Sequence, residues 1–159
     1  SSAASDVYKR QVIAEALKHI RTKSEKQKIT VIQPDDLLLA KMDARLIVQV
    51  LINLLDNAIK YTPSDSQITI TAKRNGETVS VSVADNGNGI EGEQKSRVFD
   101  MFYTGANKIV DCRRSIGLGL SLCKSIVNAH GGEITVTDNV PHGAVFTFTL
   151  PVGEVEIYE

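Results

Sequence analysis

The 159-residue sequence contains no tryptophan, two cysteines and four prolines, and only 5% of its residues are aromatic. The two cysteines, Cys112 and Cys123, are too few for the disulfide framework of a small secreted domain, which predicts a reducing compartment such as the cytoplasm. No apolar run approaches the roughly 20 residues that a membrane-spanning helix needs. The formal net charge of −1 gives no electrostatic argument for binding nucleic acid or an anionic membrane.

What the chain does contain is typical of one globular domain with a single core: 42% of its residues are hydrophobic and 23% are charged. Residues 1–6 have neither the basic start nor the apolar stretch of a signal peptide, so we expect a disordered end or a cloning remnant. Residues 7–151 are predicted to form the domain. The glutamate-rich residues 152–159 are predicted to be a solvated tail.

Hydrophobic residues recur at helical spacing in three segments, which predicts helices over about residues 7–25, 43–60 and 117–130. Asp43 is a suitable N-cap for the second helix. Gly131-Gly132 can adopt the left-handed conformation that ends the third helix. Alternation predicts strands over residues 29–32, 67–72, 78–83, 133–138 and 144–150, with a tight hairpin at Asn75-Gly76. These elements predict an α/β architecture in which a mixed sheet has its helices on one face.

The second predicted helix contains two asparagines four residues apart, Asn53 and Asn57, within an otherwise apolar run. At about 100° per residue they share a stripe with Tyr61, and Lys60 lies beside them. Asparagine is a poor helix former, so the pair suggests a function. A carboxamide oxygen suits Mg²⁺, a lysine can neutralise a phosphate, and a tyrosine can cover a base or sugar. The alternative, the solvated polar face of an amphipathic helix, stays open at this point.

A second polar motif, Asp85-Asn86-Gly87-Asn88-Gly89, follows an alternating strand. A buried carboxylate at Asp85 can accept a hydrogen bond from the exocyclic amine of adenine, while the glycines let a planar ring approach closely. Guanine would present a carbonyl at the same place, so two acceptors would face each other. The alternative is a plain Asp-Asn-Gly turn, which is a common composition.

A third motif, Gly117-Leu118-Gly119-Leu120, opens the last predicted helix. Backbone N–H groups near a helix N-terminus favour phosphate through both their unpaired donors and the helix dipole. The dinucleotide fingerprint Gly-x-Gly-x-x-Gly after an early strand is absent, and so is a Gly-x-x-x-x-Gly-Lys-Ser/Thr phosphate loop. The motifs therefore predict a nucleotide site of a different fold.

The order of these motifs resembles the catalytic, ATP-binding domain of sensor histidine kinases, in the wider GHKL group with gyrase, Hsp90 and MutL ATPase domains. The resemblance covers residues 10–151 and is strongest in five segments. They are residues 53–61 (N box), 85–89 (first glycine box), 99–103 (F box), 117–120 (second glycine box) and 143–148 (closing strand motif). Residues 33–37 and 49–55 are also similar to the potassium-responsive, KdpD-type kinases. The resemblance implies the Bergerat fold, a two-layer sandwich with a mixed, mostly antiparallel sheet and helices on one face.

The resemblance also implies ATP and Mg²⁺ as cofactors. Asn57 would ligate Mg²⁺ with Asn53 assisting directly or through water, and with Lys60 they would form the catalytic set. Asp85 would hydrogen-bond the adenine amine, and residues from about 100 to 116 would form a lid over ATP. The residues expected at the nucleotide are Asn53, Asn57, Lys60, Tyr61, Asp85, Gly87, Gly89, Ile90, Phe102, Gly117, Leu118, Gly119, Leu120 and Thr147.

One difference from the hydrolysing relatives concerns the position of Asn53. Those relatives have a glutamate four residues before the metal asparagine, where it activates water. A neutral carboxamide cannot act as a general base. The sequence therefore favours transfer of the γ-phosphoryl group to an external acceptor over hydrolysis of ATP.

The acceptor motif of the kinases, a histidine followed by an acidic residue and later a proline, is missing. The three histidines are His19, His130 and His142, and none has that context. We therefore expect the dimerising helical hairpin with the substrate histidine to lie outside this chain, which could not autophosphorylate alone. The resemblance implies that hairpin and a response regulator as partners. It also implies a monomeric cytoplasmic domain of a membrane-anchored homodimer that binds no nucleic acid.

The second difference is Thr104, where the family often has a basic residue after the F box. Lys108, Arg113 or Arg114 could supply that charge from the lid, or they could be solvated loop cations. Two other functions are compatible with the same fold. One is a serine-directed kinase of the anti-sigma type, and the other is a non-catalytic module that docks or dimerises on binding ATP.

Overall fold

The computed structural model of the chain describes residues 5–21, 26–33, 39–101 and 119–153. Within these ranges the chain forms four helices and seven strands. In order they are β1 (Ser5–Tyr8), α1 (Lys9–Ile20), β2 (Lys28–Ile32), β3 (Leu39–Met42), α2 (Ala44–Lys60), β4 (Gln67–Asn75), β5 (Thr78–Asp85), α3 (Gly92–Lys95), α4 (Gly119–Ala129), β6 (Ile134–Asp138) and β7 (Ala144–Pro151). None of the helices in these ranges is long and apolar enough to cross a membrane.

The main sheet has five strands in the order β2-β4-β5-β7-β6. Only β2 and β4 run parallel, and the other three neighbouring pairs are antiparallel. β1 and β3 form a separate antiparallel pair, and Ala40 of β3 bridges to Val152 just after β7. The prediction of a mixed, mostly antiparallel sheet is confirmed.

One face of this sheet is apolar, and α2 and α4 contact its strands. Helix α2 in turn contacts both α1 and α4. Strand alternation explains the two faces, since successive side chains point to opposite sides. In β7, Ala144, Phe146, Phe148 and Leu150 are buried, whereas the residues between them are half-buried. The apolar face and the helices enclose one core, and the prediction of helices on one face is confirmed.

Helix α2 begins where the sequence predicts, because the Asp43 carboxylate accepts hydrogen bonds from the backbone N–H groups of Arg45 and Leu46. Its apolar stripe is fully buried in the core: Ile47, Val50, Leu51, Leu54, Leu55 and Ala58. The helix ends at Lys60, since the Thr62 hydroxyl donates to the Ala58 carbonyl and Pro63 follows. The opposite side of α2 is therefore free to hold polar side chains.

The N-terminal region differs from the prediction. The first helix runs from Lys9 to Ile20 and not from residue 7 to 25, and residues 5 and 6, expected within a disordered end, belong to β1. The partner strand β3 was not predicted either. Both strands have four residues and pair only through contacts far apart in the sequence, so local alternation gives no signal for them. Val152, expected in the solvated tail, bridges to β3.

Two glycines connect α4 to β6. Gly131 has φ +78°, the left-handed conformation that ends helices and that the sequence predicts here. Gly132 has no room for a side chain, because a Cβ atom there would overlap the backbone carbonyl of Thr149 in β7. The close approach lets the Glu133 N–H donate to the Thr149 hydroxyl, which joins the end of α4 to the sheet.

This close approach predicts that Gly132→Ala destabilises the domain by about 1–3 kcal/mol, the usual cost of forcing an added group into a packed site. The free energy of unfolding in urea measures the loss. Gly92→Ala is the matched control, because nothing lies within 4 Å of the added methyl group. An equal effect of the two substitutions would contradict the packing argument.

Candidate functional site

The last turn of α2 presents three of the predicted site residues. Asn57 is half-buried, and its carboxamide has no hydrogen bond to another described residue. Lys60 is exposed, and its Nζ lies 5.3 Å from the centroid of the Tyr61 ring, which is 52% exposed. An unpaired amide, a cation and an aromatic face therefore lie together at the end of one helix, where they are accessible to a ligand.

Asn53, one turn earlier, has a different environment. Its Oδ1 accepts a hydrogen bond from Gln49 Nε2 at 3.0 Å, and its Nδ2 donates to the carbonyl of Gly119 at 3.4 Å. Both ends of the carboxamide are therefore engaged, and the second contact links α2 to the first residue of α4. The structure thus separates the two asparagines: Asn57 is available to a ligand, whereas Asn53 holds two helices together.

Cys123 of α4 lies beside this contact. Burial raises the pKa of its thiol to about 12, and a hydrogen bond with Asn53 opposes that rise. Its Sγ lies 3.7 Å from the carbonyl of Val50, a distance compatible with a weak S–H hydrogen bond. The thiol therefore stays protonated at neutral pH, and Cys123 is a packing residue and not a nucleophile.

Asp85 is the last residue of β5, as predicted, and it points into the layer between sheet and helices. The side chain is only 8% exposed. Its Oδ1 accepts hydrogen bonds from the backbone N–H groups of Gly87 at 2.9 Å and Ala144 at 3.3 Å. In the described part of the chain, Oδ2 has no partner. A buried carboxylate with one oxygen fixed by two donors and the other unpaired is suited to receive an amine from a ligand.

The glycines after Asp85 allow two close approaches. A Cβ atom at Gly87 would lie 2.7 Å from the Thr62 methyl carbon, so this turn packs against the residues that follow α2. Gly89 has φ +76°, and a Cβ atom there would lie 3.1 Å from the carbonyl oxygen of Gly143. The contact between Gly87 and Thr62 brings the two predicted halves of the site, Asn57–Tyr61 and the Asp85 turn, to one end of the domain.

The loop between β6 and β7 completes this end of the domain. Asn139 Nδ2 donates to the backbone carbonyl of Asp85 at 2.7 Å, and His142 Nδ1 lies 2.9 Å from the carbonyl of Gly87. Asn139 and Ala144 were not predicted as site residues, and His142 was considered only as a possible phosphoryl acceptor. No local pattern indicates them, because their partners are more than 50 residues away in the chain.

Thr147, expected at the nucleotide, lies away from the other candidate residues. Thr147 pairs with Ser82 of β5, and their hydroxyl oxygens are 2.9 Å apart. Asp85 and Ser82 are three positions apart on β5, so their side chains are on opposite faces of the sheet. Thr147 is therefore on the face away from the helices, and Ala144, whose N–H donates to Asp85, is the residue of this strand that reaches the site.

The remaining predicted residues have mixed outcomes. Ile90 and Leu120 are half-buried against the core, and a Cβ atom added at Gly119, at the start of α4, would have no described atom within 4 Å. The Phe99 ring contacts Phe146 edge to face, with centroids 6.0 Å apart. Several predicted residues lie outside the described ranges: Phe102, Gly117, Leu118, Thr104, Lys108, Arg113, Arg114 and nearly all of the predicted lid.

The described ranges contain no group of three histidine, cysteine, aspartate or glutamate side chains that could hold a metal ion by themselves. The unpaired carboxamide of Asn57 is a neutral oxygen ligand of the kind that Mg²⁺ accepts when phosphate oxygens and water supply the other ligands. The donor set therefore fits a metal ion that arrives with a phosphate ligand.

The chain is similar in sequence to known proteins. Residues 42–154 match the family described as histidine kinase-, DNA gyrase B-, and HSP90-like ATPase. The chain is 42% identical over 141 residues to the sensor protein KdpD of Clostridium acetobutylicum, covering 89% of the chain and 16% of that relative. It is 44% identical over 120 residues to the adaptive-response sensory kinase SasA of Gloeothece citriformis, covering 75% of the chain and 30% of that relative.

The fold also matches solved structures. The catalytic domain of histidine kinase ThkA superposes with a TM-score of 0.81 and 31% identity, covering 93% of this chain and 97% of that one. The structure of ThkA in complex with the response regulator protein TrrA matches with a TM-score of 0.78 and 31% identity, covering 93% of this chain and 41% of that one.

Proposed function

Since the chain belongs to the histidine kinase-, DNA gyrase B-, and HSP90-like ATPase family and is the ATP-binding catalytic domain of a sensor histidine kinase, we propose that it transfers the γ-phosphoryl group of ATP to a histidine outside this chain. The resemblance inferred from the order of the motifs is confirmed. The chain spans 16% and 30% of the two curated relatives described above, so the activity, substrate and partners of the whole protein belong to this proposal.

The observation that supports this proposal most directly is the environment of Asp85. A carboxylate that is 8% exposed, with one oxygen held by two backbone N–H groups, presents its other oxygen in a fixed direction. The exocyclic amine of adenine is a donor that can satisfy it, whereas the guanine carbonyl cannot. Asp85 therefore selects adenine in this proposal.

The phosphate end of the nucleotide is assigned to the last turn of α2. Asn57 would ligate Mg²⁺ through its carboxamide oxygen, and Lys60 would neutralise phosphate oxygens. Tyr61 covers the sugar or base with its exposed ring. Asn53 keeps the start of α4 next to this turn and would assist Mg²⁺ binding directly or through water. Bound Mg²⁺ would supply charge stabilisation of the transferred phosphoryl group.

A kinase is favoured over an ATP hydrolase because no general base is available at position 53. The Asn53 amide is neutral and is hydrogen-bonded to Gln49 and Gly119, so it cannot accept a proton from water. The relatives described above are sensor or histidine kinases, which favours a histidine acceptor over the serine acceptor of an anti-sigma-type kinase.

The partners of the reaction follow from what the chain lacks. Among the described histidines, His130 follows α4 directly, with its Nδ1 2.7 Å from the Ile126 carbonyl, and none has the acceptor context. The acceptor histidine therefore belongs to a dimerising hairpin elsewhere in the protein. A response regulator would then receive the phosphoryl group, in keeping with the ThkA–TrrA complex. Anchoring of the whole homodimer in a membrane is part of the same proposal.

We expect Asp85→Asn to weaken binding of Mg-ATP about 10- to 100-fold, because an amide N–H would face the adenine amine and the charge-assisted hydrogen bond would be lost. The asparagine can still accept from Gly87 and Ala144, so the fold should persist. Isothermal titration calorimetry with ATP and GTP measures the effect. Equal affinities of the wild type for ATP and GTP would contradict the role of Asp85.

The two asparagines should behave differently when each is replaced by alanine. Asn57→Ala should remove most of the gain in ATP affinity that Mg²⁺ provides, because the proposed metal ligand is gone. Asn53→Ala should weaken ATP binding while leaving a clear dependence on Mg²⁺, since its main contacts are within the protein. Titrations with and without EDTA test both variants, and identical Mg²⁺ dependence in the two would refute the assignment of Asn57.

The reaction is tested by mixing this domain with the hairpin of its own full-length protein and Mg-[γ-³²P]ATP. We expect acid-labile label on the hairpin histidine and no steady release of phosphate by the domain alone. Acid-stable label on a serine would indicate the anti-sigma type of kinase. Tight ATP binding without any labelling would indicate a docking module.

A further inference from the structure

Residues 139–143 between β6 and β7, here called the support loop, form hydrogen bonds with the backbone of Asp85 and Gly87. Direct binding of adenine by the Asp85 carboxylate does not require these contacts. We propose that Asn139 and His142 of this loop are positioning residues that set the direction of the Asp85 carboxylate and so determine the preference for adenine over guanine. The inference rests on the proposed function, because it concerns how the same site selects its base.

The carboxamide of Asn139 is fixed at both ends. Its Nδ2 donates to the backbone carbonyl of Asp85 at 2.7 Å, and its Oδ1 accepts from the N–H of Val140 at 2.9 Å. Its own N–H donates to the carbonyl of Gly143 at 3.0 Å. The amide therefore cannot rotate without losing a hydrogen bond, and it clamps the main chain at the residue that bears the carboxylate.

His142 holds the turn at its second residue. The carbonyl of Gly87 can only accept a hydrogen bond, so His142 Nδ1, 2.9 Å away, is the donor and has the ring proton. The N–H of the same glycine donates to Asp85 Oδ1. The turn is thus held between the support loop on its carbonyl side and the carboxylate on its N–H side.

The loop itself is anchored and closely packed. Asp138, just before it, forms a 2.7 Å ion pair with Lys95 of α3. Gly143 has φ +116°, and a Cβ atom there would overlap the carbonyl oxygen of Asp85. Ala144, the first residue of β7, directly follows the loop, and its N–H donates to Asp85 Oδ1. A shift of the loop backbone would therefore move this donor and, with it, the carboxylate.

This arrangement matters for specificity because hydrogen bonds depend on direction. Discrimination between adenine and guanine requires Asp85 Oδ2 to lie in line with the exocyclic group of the base. A bent hydrogen bond to the adenine amine would be weak, so adenine would lose its advantage over guanine. A turn released from Asn139 or His142 would let the carboxylate rotate toward solvent or accept a bridging water. ATP would lose affinity, whereas GTP, which gains nothing from this contact, would change little.

The decisive variant is Asn139→Asp, which keeps the shape of the side chain and its acceptor for Val140 but replaces the donor to Asp85 by a second acceptor. We expect ATP affinity to fall about 5- to 20-fold, in line with an unsatisfied buried acceptor, with little change for GTP. The ratio of ATP to GTP affinity, measured by calorimetry and competition, should fall by a similar factor.

His142 offers a rescue test. His142→Ala should lower the affinity ratio about 3- to 10-fold, whereas His142→Asn should restore most of it, because an asparagine Nδ2 can occupy the place of the ring Nδ1 and donate to Gly87. Val140→Ala is the matched control: this side chain is 88% exposed in the same loop, and its removal should leave the ratio unchanged.

The Gly87 amide proton gives an independent spectroscopic readout. In Asn139→Asp its NMR resonance should move upfield, as its hydrogen bond to the Asp85 carboxylate weakens, while core resonances stay in place. A wild-type ATP/GTP ratio in Asn139→Asp would overturn the inference. A lower melting midpoint with proportional losses for both nucleotides would also overturn it, since that indicates a structural role only. Failure of the wild-type domain to bind ATP would instead refute the proposed function on which the inference depends.

Discussion

The burial of the Asp85 carboxylate at the end of β5 is the constraint on which the rest of the site depends. A charged group with 8% exposure is tolerated only when hydrogen-bonded, and here the backbone N–H groups of Gly87 and Ala144 bind it. Those two donors come from a glycine turn and from the first residue of β7. The carboxylate therefore requires both the sharp turn and the antiparallel pairing of β5 with β7, and it leaves one oxygen for a ligand.

Helix α2 is the second element on which the site depends. One side of this helix packs in the core, and the other presents polar side chains. The apolar stripe from Ile47 to Ala58 is buried in the core, and this packing holds the helix in place. The polar side is then positioned without contributing to the core: Asn53 contacts the start of α4, and the Asn57 carboxamide has no hydrogen bond to a described residue. Thr62, just beyond the helix, packs on Gly87 and joins this element to the Asp85 turn.

Much of this could be predicted from the sequence where the signal is local. The extent of α2 follows from the Asp43 cap, the apolar period and Pro63, and the strand that ends at Asp85 follows from alternation. The face on which Thr147 lies could have been predicted, because Phe146 and Phe148 alternate with the threonines and already indicate which face is apolar. β1 and β3 could not be predicted, since each is four residues long and is stabilised by a partner distant in the chain.

The sequence by itself determined the family, the elements that provide the site and the chemistry of its main residues, because periodicity, capping and motif order are properties of short segments. Only the tertiary structure decided which of those residues have free atoms. It paired the carboxamide of Asn53 with Gln49 and Gly119, left that of Asn57 without a partner among the described residues, and brought Asn139 and His142 onto the Asp85 turn. These outcomes depend on strand register and on how helices pack on the sheet, so they are set by contacts between distant segments.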